Sequence, residues 1–289
     1  MNSIVIIGAG RLGATIGFAL SQRGYTIEAV SCSRASSAEE SSRIIGQGAF
    51  STDNVQTAKL GDIVILSVPD DDIETVATEL ADTNINWKEK TVFHCSGLLP
   101  SEALLALKSQ GALTASLHPV QTFPKKERNS GLFQEIYFGL EGDKTAVETA
   151  KTVVRALGGK HIILDAKDKP LFHAACSVAS SHLAALLNMS SSLLVKMGLD
   201  EKTAIEIIFP LIQRTLHNVK NIGVSSALTG PVIRGDQKTL LSHLESLKES
   251  PRHSDAYISL ARMVLEIAEK ETRLSPEKIK ILKGLLEDK

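Results

Sequence analysis

The first group of residues with recognisable chemistry is Gly8-Ala9-Gly10-Arg11-Leu12-Gly13, a G-x-G-x-x-G string. It follows a β-branched run at residues 3–7 and opens a helical pattern, the context in which such a string holds a dinucleotide. Gly8 permits the tight turn, Gly10 lets the backbone approach a pyrophosphate, and Gly13 lets the helix pack on the strand. Ala9, Arg11 and Leu12 complete the turn, and the helix N-terminus holds the phosphates with its N–H groups and dipole. The end of the second strand decides which dinucleotide fits. A free ribose 2′-hydroxyl asks for an acid about 20 residues on. Here the chain has Cys32-Ser33-Arg34, and Glu28 comes too early. A hydroxyl and a guanidinium suit a 2′-phosphate, so NADP is expected over NAD. The missing acid also weighs against flavin and S-adenosylmethionine. Ser67-Val68-Pro69 closes another strand, where the chain is expected to turn over the cofactor.

Candidate proton donors lie further along. His118, in Leu117-His118-Pro119-Val120-Gln121-Thr122-Phe123, has an imidazole that titrates near neutrality; the alternative is a buried structural histidine. Ser96, in His94-Cys95-Ser96-Gly97, either contacts substrate or nicotinamide or caps the next helix. His173, Ser177, Ser180, Ser181, Ala184 and Asn188 share about a quarter of a helix circumference. That stripe suits a cleft or the close-packed seam of a dimer. His182 points the other way and reads as structural. Arg234 offers a fork to a carboxylate or phosphate, beside Thr229, while Asp236 most simply caps the following helix. Asp70, Asp71 and Asp72 read as first-turn helix partners rather than metal ligands, and no metal is expected.

These residues need a scaffold. Strand patterns at residues 3–7, 26–32, 62–68, 91–95 and 113–117 alternate with helices at 11–23, 71–81 and 100–110, which argues for a parallel sheet covered by helices. Residues 125–129 read as a solvated, mobile connector. Short strands at 136–140 and 161–164 flank a helix at 144–157. Helices alone follow, at 169–197, 200–221, 237–249, 254–270 and 276–286.

The length of 289 residues suits about two domains. A net charge of −1 and 4% aromatics give no reason to expect nucleic acid. Cys32, Cys95 and Cys176 are odd in number and far apart, which suits a reducing cytoplasm and neither a disulfide framework nor a zinc site. The N-terminal apolar run has no basic segment before it and does not read as a signal peptide. The stretch between Lys169 and Lys196 holds no Asp, Glu, Lys or Arg, but its histidines, serines and Asn188 argue for a helix buried inside protein rather than a membrane span.

Together the motifs resemble the Rossmann-like proteins that carry the DUF2520 domain, relatives of 6-phosphogluconate dehydrogenase, pyrroline-5-carboxylate reductase and ketopantoate reductase. The resemblance rests on His94-Cys95-Ser96-Gly97, the run Ser116 to Phe123, Phe172-His173-Ala174-Ala175, Leu228-Thr229-Gly230-Pro231 and Arg234-Gly235-Asp236. It implies an N-terminal dinucleotide-binding domain and a helical, usually dimerising C-terminal domain; with the element pattern above, the expectation is an α/β fold with a Rossmann-like NADP-binding domain at 1–166 and an all-helical substrate and dimerisation domain at 167–289. One position departs from it, because Ala179-Ser180-Ser181 stands where Ala-Ser-Asn is expected. The resulting expectation is an NADP-dependent oxidoreductase reducing a small carbonyl or imine in a cleft between domains, dimeric and cytoplasmic, with His118, His173 and Arg234 at the reacting centre. The alternatives are a 2-keto acid reductase of the ketopantoate type and a non-catalytic NADP-binding regulator.

Overall fold

The structure, a computed structural model, describes residues 3–287. Its first half runs β1 (Ile4–Ile7), α1 (Arg11–Ser21), β2 (Ile27–Ser31), α2 (Ala35–Ile45), β3 (Ala49–Ser51), α3 (Asn54–Lys59), β4 (Ile63–Leu66), α4 (Asp70–Ala81), β5 (Thr91–His94), α5 (Leu105–Ser109), β6 (Leu113–Pro119), β7 (Tyr137–Gly142), α6 (Lys144–Leu157), β8 (Lys160–Ile163) and α7 (Lys169–Ser177). The strands form one eight-stranded sheet in the order β3-β2-β1-β4-β5-β6-β7-β8. Every pair is parallel except β6 with β7.

Both faces of the sheet are covered, so its central strands read as unbroken apolar runs. In β1, Ile4 and Ile6 pack with Ile16, Leu20 and Phe93 on one face. Val5 and Ile7 pack with Leu66, Ile73 and Trp87 on the other. The alternation follows from the two-residue period of a strand. The segment between β2 and β4 gave no pattern in the sequence. Its strand β3 is a three-residue edge strand, largely exposed, with no apolar run to reveal it.

The chain divides into two compact units, residues 1–182 and 183–289. The division falls in a π-helical turn, Val178–His182, that interrupts the expected helix at 169–197. α7 therefore stands with the sheet, and the first unit reaches past residue 166. In the second unit α8 (Leu183–Lys196) packs along α9 (Glu201–Ala227). The helices α10 (Pro231–Arg234), α11 (Gln237–Ser246), α12 (Pro251–Lys270) and α13 (Pro276–Glu287) follow. These four build their own core from Val232, Leu240, Leu244, Ile258, Leu265 and Leu282.

One expectation is corrected here. The helical run Ala166–Lys196 is long and apolar enough to cross a membrane, and none of its most apolar window is buried. Leu171 is 77% exposed and Val178 59%. Among the described residues, much of the apolar side of this run is therefore exposed.

Candidate functional site

The glycine turn leaves β1 at Gly8, where φ is +81°. A Cβ at Gly8 would lie 2.6 Å from the backbone nitrogen of Val68, so glycine is required twice over. The N–H groups of Gly8 and Ala9 donate to the carbonyl of Ser31 at 2.9 and 3.0 Å, which ties the turn to the end of β2. Ser41 of α2 donates to the carbonyl of Ala9 at 2.6 Å from the other side. α1 then starts with no side-chain cap at Gly10 and no acid in its first turn. The positive end of an eleven-residue helix is left open to an anion.

A cavity of about 410 Å³ opens at this point. Gly8 and Gly10 form one wall, Ser33 and Ser37 another, and Ser67-Val68-Pro69 the third, all at the C-terminal ends of neighbouring strands. Thr52 and Asn54 also line it, on the segment that showed no pattern in sequence. Of the other residues expected at a cofactor, Ala9 and Gly13 are buried in the turn, Leu12 packs on the core, and Arg11 is exposed at the first position of α1. Arg34 is the exposed N-cap of α2.

His118, on β6, and His173, on α7, come together at a second cavity of about 330 Å³. Their ring centroids are 5.9 Å apart and the planes cross at 84°. Gly97 makes that approach possible, because a Cβ there would lie 2.6 Å from His173 Cδ2 and 2.7 Å from His118 Cε1. Gln121, Thr122, Ser177 and Ser180 line the remainder, and no charged side chain does so among the described residues. Ser181 is absent from this lining because the π turn re-phases the helix.

The tautomer of His118 follows from its neighbours. Nδ1 lies 3.3 Å from the carbonyl oxygen of Cys95. A carbonyl only accepts, so Nδ1 carries the proton and Nε2 keeps its lone pair. Nε2 is buried without a partner among the described residues. Burial, then the nearby positive charge of Lys169, pushes His118 down to about 4. At neutral pH the ring is therefore neutral and offers Nε2 as a hydrogen-bond acceptor.

Behind the two imidazoles lies a lysine that sequence reasoning treated only as a boundary. Lys169 is fully buried. Its Nζ donates to Ser116 Oγ at 2.6 Å and to the carbonyl of Ser96 at 3.3 Å. Burial lowers its pKa against the pull of Glu141 and Asp70. Ser96 ties down its own turn: its hydroxyl donates to Asp70 at 2.7 Å and accepts from the N–H groups of Leu98 and Leu99, while the next helical turn, Ser101–Leu104, starts after Pro100 with no side-chain cap. His94 is held neutral. Its Nδ1 accepts from Ser96 N–H at 3.2 Å, its Nε2 faces the Pro100 carbonyl at 3.1 Å, and burial pushes it down to about 3. Asp70, Asp71 and Asp72 fill the first turn of α4.

In the second unit, Arg234 ends α10 and is exposed, as is Thr229. Asp236 caps α11, accepting from Thr239 N–H at 3.1 Å.

Residues 2–119 match the Rossmann-like domain, and residues 136–264 match a domain of unknown function, DUF2520. The chain carries both domains. The DUF2520 match takes in His173, the π turn and Arg234, while the Rossmann-like match holds the glycine turn and His118. No curated protein matches the chain. Among solved structures, a Bacteroides fragilis protein provisionally assigned as an NADP oxidoreductase is 23% identical with a TM-score of 0.77, over 91% of this chain and 97% of its own. Protein TM1727 from Thermotoga maritima is 26% identical with a TM-score of 0.70, over 93% and 99%. An imine reductase from Pseudomonas sp. is 15% identical with a TM-score of 0.65, over 95% and 99%. The Rossmann–DUF2520 chain thus shares a fold with oxidoreductases.

Proposed function

We propose that this Rossmann–DUF2520 protein is an NADP(H)-dependent oxidoreductase that reduces a small carbonyl or imine. One observation carries the reading: the glycine-turn cavity and the His118–His173 cavity sit at ends of strands in one sheet edge. β4, which leads to Val68, and β6, which bears His118, are separated only by β5. Two strand spacings amount to about 10 Å.

Gly10 and the open N-terminus of α1 would hold the pyrophosphate, Ser33 and Arg34 the 2′-phosphate, and Val68-Pro69 would cover the dinucleotide. When bound, NADPH supplies the hydride. The chain's own task is to orient the substrate and manage one proton. His118 Nε2 accepts a hydrogen bond from a substrate N–H or O–H. His173, set edge-on to that ring, is the candidate donor to the atom that gains charge. A protonated imine presents to Nε2 an N–H it can accept and needs no further proton once its carbon receives hydride, whereas a carbonyl oxygen would take its proton from His173. A 2-keto acid is less suited to the second cavity, whose lining is uncharged.

The chain is further proposed to act as a homodimer. Leu171, Met197, Leu211 and Met263 are each at least 60% exposed, and the most apolar window of the run Ala166–Lys196 is not buried. A second copy offers the same apolar, uncharged surface in return. Three unpaired thiols support a reducing compartment such as the cytoplasm.

The test is turnover. NADPH consumption would be followed against cyclic imines, small ketones and 2-keto acids. Oxidation of NADPH with an imine or ketone is the expected result. Tight NADPH binding with no turnover on any class would instead leave a non-catalytic NADP-binding protein.

A further inference from the structure

We infer that Lys126, from the loop between β6 and β7, serves the 2′-phosphate subsite through Ser37. The inference rests on the NADP reading above and adds a residue that lies 89 positions along the chain from Ser37. The run Lys125-Lys126-Glu127-Arg128 looks like a solvated connector, yet it is strapped across α1 and α2. Glu127 N–H donates to Thr15 Oγ1 at 3.1 Å, and Arg128 Nε donates to the carbonyl of Ile44 at 3.1 Å. Between them the Lys126 side chain is only 14% exposed.

Its Nζ has three bonds: to the Ser37 carbonyl at 3.1 Å, to Ser37 Oγ at 3.0 Å and to Glu40 at 2.6 Å. An ammonium can only donate, so Ser37 Oγ must accept. The hydroxyl proton of Ser37 is then free to point elsewhere. Ser37 lines the glycine-turn cavity beside Ser33, so an anion there meets a hydroxyl whose donor is uncommitted and polarised by a cation. Lys126 has a second effect. It neutralises Glu40, whose carboxyl it holds below the ordinary carboxylate range. Unpaired, that carboxylate on α2 would repel a phosphate at the same corner. Lys126 is therefore a positioning residue, and Ser37 is the group that meets the ligand.

The experiment titrates the full chain with 2′,5′-ADP and with 5′-AMP by calorimetry, so that the 2′-phosphate is the sole difference between probes. The unmodified chain prefers 2′,5′-ADP. Ser37→Ala and Lys126→Met each weaken 2′,5′-ADP by about tenfold, the scale of one charge-assisted hydrogen bond, and leave 5′-AMP unchanged. Glu40→Gln, on an exposed side chain that disturbs no core, strengthens 2′,5′-ADP. A preference retained in full by Lys126→Met, or an equal loss for both probes, overturns the inference while the NADP reading stands. Equal binding of the two probes by the unmodified chain overturns both. If Lys126→Met does not fold, an unchanged 2′,5′-ADP affinity in Glu40→Gln overturns the inference by itself.

Discussion

His118 on β6 donates from Nδ1 to the carbonyl oxygen of Cys95, which follows the neighbouring strand β5, across 3.3 Å. This bond leaves Nε2 bare and buried, beside Gly97. A buried acceptor with no partner is costly, and a ligand N–H or O–H relieves that cost on binding. His118→Ala should therefore reduce kcat/KM by about 10²-fold, as expected from a lost orienting contact. His173→Ala should lower kcat by about 10²–10⁴-fold, the range of a general acid. Neither should alter NADPH affinity. Steady-state kinetics on a verified substrate check both, and full activity in the double variant removes the pair from the reaction.

Gly97→Ala isolates the same geometry from chemistry. The added methyl meets both imidazoles at under 3 Å, so one ring must move. Activity should drop by at least about tenfold with the dinucleotide affinity unchanged. Wild-type kcat in this variant would show that the approach of the two rings is incidental.

Lys169→Met removes the buried cation while keeping most of the volume. Lys169 helps to hold both His94 and His118 low, so both should titrate at higher pH in the variant. Histidine chemical shifts followed by NMR across a pH series check this. Unmoved titrations would mean that burial alone sets them.

The stability of the fold should depend on pH through His94. Its value in the folded chain, about 3, is below the ordinary 6.5. The unfolded chain therefore binds the proton first as pH falls. The stabilisation is complete above about pH 6.5 and declines from there toward pH 3. The loss is about 2 kcal/mol by pH 5 from this one group. Thermal melts should show Tm falling over that window, with a flatter dependence in His94→Gln. Equal slopes in the two proteins would contradict the assignment.

The sequence reveals the sheet where it is buried on both faces, and the glycine turn where local strain demands Gly8. It does not reveal β3 or the lining residues Thr52 and Asn54, because a three-residue edge strand carries no periodic apolar signal. Lys169 was hidden for another reason. Nothing local distinguishes a lysine at a helix start that meets solvent from one that meets Ser116, fifty-three residues earlier in the chain. The tautomer of His118 was equally out of reach, since it is set by a backbone carbonyl on the next strand. The stripe from His173 to Asn188 assumed one unbroken helix, and the π turn at Val178–His182 shifts the phase halfway along it.

The central claim is that the glycine-turn cavity holds a nicotinamide dinucleotide with a 2′-phosphate. Calorimetric titration of the unmodified chain with NADPH and NADH tests it without knowledge of the substrate. The account predicts one NADPH per chain, NADH bound at least about tenfold more weakly, and a gap that narrows in Arg34→Ala. Equal affinities for the two, or no binding of either, would contradict it.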